Sequence, residues 1–187
     1  MLPLLIQTDL SITAFIFNTI PRNPLFDSFF SFLSLQGISV IFWILLMGYL
    51  ILKEEKKEKK FILYFLLIIG FSYLFSDFFL KNIFHRTRPL FDTTIAHLYY
   101  CPRDYSFPST HALLAFTACG ILDYVDKKRM WIYYLVASLI AFSRIYLGCH
   151  YVLDVIAGAS IGLFISYISI YLLLSPLHSP RRRPRSK

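Results

Sequence analysis

Two long runs without a charged side chain constrain the fold of this chain more than any other feature. The run from Ser28 to Leu52 has 25 residues and the run from Val155 to Leu177 has 23, and neither contains Asp, Glu, Lys or Arg. A helix needs about 20 mainly apolar residues to cross the ~30 Å hydrocarbon core of a bilayer. The sequence therefore predicts that both runs cross a membrane.

Three further spans are predicted, although polar residues interrupt or flank each of them. They run from Phe61 to about Leu80, from Pro108 to about Tyr124, and from Met130 to about Leu147. A composition of 57% hydrophobic and 16% charged residues fits a chain that lies mostly in a bilayer. We therefore expect an all-α integral membrane helical bundle with five transmembrane helices, forming one domain over residues 1–187.

The N-terminal segment, residues 1–24, is interpreted differently from the five spans. Residues 5–20 are apolar, but they include Asp9 and are followed by Pro21 and Arg22. This stretch is short for a crossing and favours a helix that lies in the membrane interface. The sequence leaves a sixth crossing here as the alternative, and it leaves the oligomeric state open.

The basic residues predict the orientation of the chain. Thirteen of the nineteen Lys and Arg residues fall in three segments, 53–60, 127–129 and the tail 178–187, which five spans place on one face. The positive-inside rule makes that face cytoplasmic and predicts a multi-pass plasma (inner) membrane protein. The net charge of +8 is then explained by topology and by anionic lipid head groups, without nucleic acid as a partner.

Three polar clusters lie at helix ends on the opposite, extracytoplasmic face. They are residues 81–89 after the second span, residues 108–111 at the start of the third, and residues 143–154 between the fourth and the fifth. Because consecutive spans alternate in direction, we expect these clusters to meet. A shared site is therefore predicted on the extracytoplasmic face.

The cations of these clusters indicate an anion-binding site. Lys81, Arg88 and Arg144 lie at the edge of hydrocarbon, where an uncompensated charge is costly. Asp77 lies one helical turn before Lys81, but the two arginines have no obvious acidic partner along the sequence, which favours a ligand such as phosphate. Pro108 and Ser109 are typical of a helix start, whose free N–H groups also bind phosphate.

Two histidines complete the predicted site. His150 and Asp154 are four residues apart and are expected to share a face of the fifth span, so that the carboxylate holds one imidazole tautomer. A histidine held in this way is a candidate nucleophile, and His111 is a candidate acid for the leaving oxygen. A membrane histidine alone is more often an interhelical hydrogen-bonder, but here two occur with three cations and a helix start.

At these residues the chain resembles the type 2 phosphatidic acid phosphatase superfamily. The signature of that superfamily has three blocks: Lys, six residues, Arg-Pro; Pro-Ser-Gly-His; and Ser-Arg, five residues, His, three residues, Asp. Residues 81–89 and 143–154 match the first and third blocks in full, and residues 108–111 match the second except that Thr110 replaces glycine. A threonine in that slot restricts how closely the backbone approaches a phosphate.

The resemblance implies a mechanism without a metal or another cofactor. His150 would attack phosphorus and form a phosphohistidine, Asp154 would orient it, and His111 would protonate the leaving group and then activate water. The phosphoryl oxygens would be held by five residues: Lys81, Arg88, Ser109, Thr110 and Arg144.

The resemblance also implies a lipid phosphate or diphosphate as the substrate. Because small chains of this superfamily often resemble carrier-lipid recycling enzymes, a polyprenyl diphosphate such as undecaprenyl diphosphate is the expected substrate, with phosphatidylglycerophosphate, phosphatidic acid and lipid A phosphates as alternatives. A transferase of phospho-head groups and a non-catalytic lipid-phosphate sensor are the other hypotheses. The related vanadium haloperoxidases are soluble, so the predicted spans argue against them.

The cysteines leave one structural question open. Cys119 falls inside the third span as a small apolar residue, whereas Cys101 and Cys149 both lie on the outer side. A bridge between these two is an option in an oxidising compartment. The sequence does not supply the geometry that a disulfide requires.

Overall fold

The structure, a computed structural model, describes residues 2–34, 59–89 and 101–174 and the single positions 41, 45 and 91. Within these residues every regular element is a helix and none is a strand, which confirms the predicted all-α class for this part of the chain. The helices are α1 (Leu2–Thr19), α2 (Pro24–Ser34), α3 (Lys59–Leu74), a π-helical stretch (Phe75–Leu80), α4 (Lys81–Phe84), α5 (Thr110–Val125), a short 3-10 helix (Lys127–Arg129), α6 (Met130–Tyr146), α7 (Val152–Ser169) and a second π-helical stretch (Ile170–Leu174).

Two continuous helices of the described part are long and apolar enough to cross a membrane. They are Phe61–Phe84 and Val152–Leu174, and they correspond to the second and fifth predicted spans. Helix α5 is a shorter apolar helix at the third, and α6 covers the fourth. Three parts of the predicted layout lie outside the described residues. They are the first span beyond Ser34 (except residues 41 and 45), most of the basic loop at 53–60, and the tail. The five-span arrangement therefore stays a prediction.

Close packing of α5 against α7 fixes the position of the site. A Cβ atom at Gly158 would lie 2.5 Å from the carbonyl oxygen of Ser109, and one at Gly162 would lie 2.3 Å from that of Leu113. Glycine is therefore required at both positions if the two backbones are to approach this closely. The amide of Ser109 also donates to the carbonyl oxygen of Asp154 at 3.0 Å, so the N-terminal ends of the two helices meet.

The start of α7 differs from the prediction. The helix begins at Val152, after His150 rather than at or before it, because the Asp154 carboxylate accepts the amide of Tyr151 at 3.0 Å and caps the first turn. His150 thus precedes the helix and does not share a face of it with Asp154, so the predicted reason for their pairing was wrong. Their proximity is nevertheless real, since Nδ1 of His150 lies 3.5 Å from Oδ2 of Asp154.

Two further links hold the loops near this end of the bundle. Cys101 and Cys149 form a disulfide, with their Cα atoms 5.2 Å apart, and this answers the question that the sequence left open. Because Cys149 precedes His150, the bond ties the 101–109 segment to the turn that carries this histidine. At the α1–α2 turn, Arg22 donates to the carbonyl oxygen of Tyr146 at 2.5 Å, which anchors the turn on the end of α6.

Candidate active site

A cavity of about 650 Å³ lies where the three polar clusters come together. Six of the eight predicted site residues line it, whereas Ser109 and Asp154 do not. Its polar lining is formed by Asp77, Lys81, Arg88, Asp104, Thr110, His111, Arg144 and His150, and the rest by Ile41, Ile69, Gly70, Tyr73, Pro102 and Leu114. The cavity therefore joins a strongly basic region to an apolar wall.

Two carboxylates form ion pairs with two of the cations that line this cavity. Lys81 contacts both Asp77 and Asp104, and Nη2 of Arg88 lies 2.5 Å from Oδ1 of Asp104. Lys81 thus pairs with Asp77, one helical turn away, as the sequence indicated, whereas Arg88 has an acidic partner, Asp104, that was not obvious from the sequence. Burial alone would raise the pKa of Asp104, but Arg88 and Lys81 outweigh it and lower that pKa below its usual value. Asp104 is therefore ionised at neutral pH, and an anion that entered the cavity would compete with it for both cations.

Arg144 supplies a third cation from the last turn of α6. Its side chain lines the cavity although the residue is 0% exposed, and its Nη1 lies 3.4 Å from the carbonyl oxygen of Ser34. A guanidinium this deeply buried is poorly screened by water, so it acts strongly on charges inside the cavity. The arrangement favours an anionic ligand.

The surroundings of His150 define its protonation state. Its Nε2 lies 2.9 Å from Nη1 of Arg88, and a guanidinium can only donate. Nε2 must therefore carry the lone pair, which leaves the proton of the neutral ring on Nδ1, facing Asp154. Burial, and then the charges of Arg88 and Arg144, lower the pKa of His150 well below 6.5. The ring is neutral at pH 7, as a nucleophile requires.

The start of α5 brings the second histidine to the same cavity. His111 lies in the first turn after Ser109, the N-cap residue. The hydroxyl of Thr110 lies 2.9 Å from that of Ser76 and 3.3 Å from Oδ1 of Asp77. These contacts give the threonine a role in joining α5 to the π-helical stretch, one that a glycine in this slot cannot fill. The unsatisfied first-turn amides of a helix are suited to bind an anion here.

Comparison with known families identifies the chain at this point. The pattern of the PAP2 superfamily matches residues 61–175, which contain all the predicted site residues. The chain belongs to the PAP2 superfamily.

Two similar proteins illustrate the range of the PAP2 superfamily. The chain is 44% identical over 72 residues to the undecaprenyl-diphosphatase of Sulfolobus acidocaldarius, covering 38% of this chain and 35% of that protein. It is 32% identical over 165 residues to the lipid A 4'-phosphatase of Porphyromonas gingivalis, covering 81% and 68%. The alignment thus spans about a third of the length of the first relative and two thirds of the second.

A solved structure supports the fold. The transmembrane PAP2 type phosphatidylglycerolphosphate phosphatase from Bacillus subtilis superposes with a TM-score of 0.76 over 96% of this chain and 89% of that chain. The sequence identity is 22%, so this likeness concerns the fold alone.

Sequence reasoning missed three residues of this PAP2 site. Asp104 lies 16 residues after Arg88, and Arg86 lies inside the first block, where the signature specifies no residue type. Asp9 belongs to α1 yet lies 2.6 Å from Nη2 of Arg86. The sequence did contain a signal for this pair, because Asp9 is a lone acid in an apolar helix and such a residue requires a partner.

Proposed function

We propose that the chain is an integral membrane lipid phosphatase that works through a phosphohistidine intermediate. The observation that supports this most is the cavity itself, in which two histidines and three cations share one space with an apolar wall. The polar groups suit a phosphate, and the wall formed by Ile69, Gly70 and Leu114 suits a hydrocarbon chain. Phosphoryl transfer depends mainly on positioning and on stabilisation of charge, which these groups can supply.

The first step would transfer the phosphoryl group to His150. The phosphate replaces Asp104 at Lys81 and Arg88, and the movement of Arg88 frees the lone pair on Nε2. Nε2 attacks phosphorus, the bond to the leaving oxygen breaks, and His111 gives that oxygen a proton. Asp154 faces the positive ring through Nδ1–H.

The second step would release inorganic phosphate. His111, now neutral, takes a proton from a water molecule that attacks phosphorus, and the bond between phosphorus and Nε2 breaks. The electron pair returns to His150, which becomes neutral again. Arg144, Lys81 and Arg88 stabilise the charge on the phosphoryl oxygens in both transition states, in the role that a metal ion has in other phosphatases.

A polyprenyl diphosphate such as undecaprenyl diphosphate is our first choice of substrate. The similarity to an undecaprenyl-diphosphatase supports it. Lipid A phosphates and phosphatidylglycerophosphate follow, since relatives carry names of this kind, and phosphatidic acid is a further alternative. A head-group transferase or a lipid-phosphate sensor would use the same cavity without net hydrolysis.

Phosphate release by the purified chain in detergent tests this function. The panel consists of undecaprenyl diphosphate, lipid A, phosphatidylglycerophosphate and phosphatidic acid, each assayed with a chelator present. We expect release from at least one lipid, unchanged by the chelator. Binding without release would favour the sensor, and phosphate found on an added acceptor lipid would favour the transferase.

We further propose five crossings with the site on the extracytoplasmic face, from the asymmetry of the basic residues. Cysteine variants at Asp92 and Lys56 test this orientation in intact cells. A membrane-impermeant thiol reagent is expected to label Asp92→Cys at once and Lys56→Cys only after permeabilisation. The wild-type chain is the control, because Cys101 and Cys149 are bonded and Cys119 is buried. Labelling of Asp92→Cys only after permeabilisation would place the site on the wrong side.

A further inference from the structure

A chain of charges connects the N-terminal helix to the proposed nucleophile. Arg86 donates from Nη1 to Oδ1 of Asp154 at 2.7 Å and from Nη2 to Oδ2 of Asp9 at 2.6 Å. Both carboxylates are almost completely buried, with side chains 0% and 1% exposed. The guanidinium also lies over the ring of Tyr151, 3.9 Å from its centre, which fixes its plane. Arg86 is therefore held from three sides.

Helix α1 also caps the helix that carries Asp154. Oδ1 of Asp9 accepts the amide of Leu153 at 3.0 Å, and the hydroxyl oxygen of Thr13 accepts the amide of Val152 at 3.1 Å. Two first-turn amides of α7 thus bond to α1. A carboxylate at this end of a helix is also favoured by the helix dipole. Asp9 consequently acts on the helix start and on Arg86 at once.

Asp9, Arg86 and Asp154 together determine the net charge on the Nδ1 side of the His150 ring. Transfer of a phosphoryl group to Nε2 makes the ring positive, and the proton on Nδ1 faces Asp154. Asp154 alone would offer one negative charge, but Arg86 cancels it at 2.7 Å. Asp9 restores the net charge of the three groups to minus one. In a buried site such a charge acts strongly, because water screens it poorly.

We propose that Asp9 and Arg86 are positioning residues of this phosphatase, acting on His150 through Asp154. The inference rests on the proposed function and adds helix α1, which lies outside the three signature blocks, to the apparatus of the reaction. Arg86 fixes the orientation of the Asp154 carboxylate, and Asp9 supplies the charge that keeps the three groups together net negative.

A double-mutant cycle of Asp9→Asn and Arg86→Gln tests this proposal on the full chain. Asp9→Asn is expected to lower kcat about tenfold with KM within about twofold, since it removes the negative charge but leaves the phosphate cations intact. Arg86→Gln is expected to lower kcat as well, because two buried carboxylates lose their shared cation. The double variant returns the net charge to minus one. Its kcat is expected to exceed the product of the two single effects by about fivefold or more.

Thr13→Val is the matched control. It removes the other α1 cap on α7 but touches neither Arg86 nor Asp154, so it should lower Tm while leaving kcat unchanged. If the losses of the two single variants simply multiply, or if Thr13→Val lowers kcat as much as Asp9→Asn, the role of Asp9 is structural and the proposal is overturned. An inactive wild-type chain on every lipid would overturn the proposed function and this inference with it. An active wild type with an unchanged Asp9→Asn variant would overturn this inference alone.

Discussion

His150→Ala is expected to abolish both turnover and any trapped phosphoenzyme. The reason is the geometry around its ring, in which Nε2 carries the lone pair and lies beside Arg88, within the cavity. A nucleophile that forms the covalent intermediate cannot be replaced by the remaining groups. The loss should reach the background rate, a fall on the order of a thousandfold or more.

His111→Ala is expected to behave differently, because an acid is needed only where the leaving group is poor. With a lipid substrate the rate should fall, but a p-nitrophenyl phosphate, whose leaving oxygen departs unprotonated, should still phosphorylate the chain. Because water activation is also impaired, the phosphoenzyme of this variant should accumulate. Incubation with ³²P-labelled substrate followed by alkaline denaturation would measure it, since phosphohistidine is labile in acid.

His85→Asn is the control for both substitutions. His85 is exposed, does not line the cavity and has a φ of 47°, a backbone conformation that asparagine tolerates well. Its replacement should leave kcat and phosphoenzyme formation unchanged. A histidine-linked phosphoenzyme that persists in His150→Ala would show that the nucleophile has been assigned to the wrong residue.

Much of the site could be predicted because its residues lie at helix ends whose direction alternates. Lys81, His111 and His150 are far apart in the sequence, yet each follows or precedes an apolar segment on the same side of the predicted membrane. Alternation alone therefore predicted that they meet, and the cavity brings all three together. The helix positions could be predicted for a similar reason, since a span is determined by the length of an apolar run.

The ion pairs could not be predicted, because they depend on loop paths. The segment that carries Asp104 lies beside Arg88 and is bonded to the turn at Cys149 through the disulfide of Cys101. The periodicity of apolar residues in the sequence does not predict the path of a loop. Likewise, the capping of α7 by Asp154 places the helix start at Val152, after His150, so His150 and Asp154 do not share a helix face as predicted.

Arg144→Ala is expected to lower kcat/KM about a hundredfold or more, because it removes a buried cation from the wall that surrounds the reacting phosphoryl group. The effect should appear mainly in kcat, since the charge on the phosphoryl oxygens is concentrated in the transition state. Arg144→Lys, which keeps the charge but loses the planar fork, should recover part of the rate. Steady-state kinetics on the lipid with the highest activity would measure kcat, KM and kcat/KM of each variant.

Arg129→Ala is the matched control for Arg144, because it removes an arginine from the opposite end of the same helix. Arg129 immediately precedes α6, about 22 Å from Arg144 at 1.5 Å per residue, and pairs with Asp126 at 2.5 Å. Its loss should leave kcat/KM unchanged. A fall of less than about threefold in Arg144→Ala would mean that this guanidinium serves the packing of α6 rather than the phosphate. In that case Lys81 and Arg88 would have to hold the phosphoryl oxygens without it, and the phosphate pocket would be centred on the 81–89 segment instead of on the end of α6.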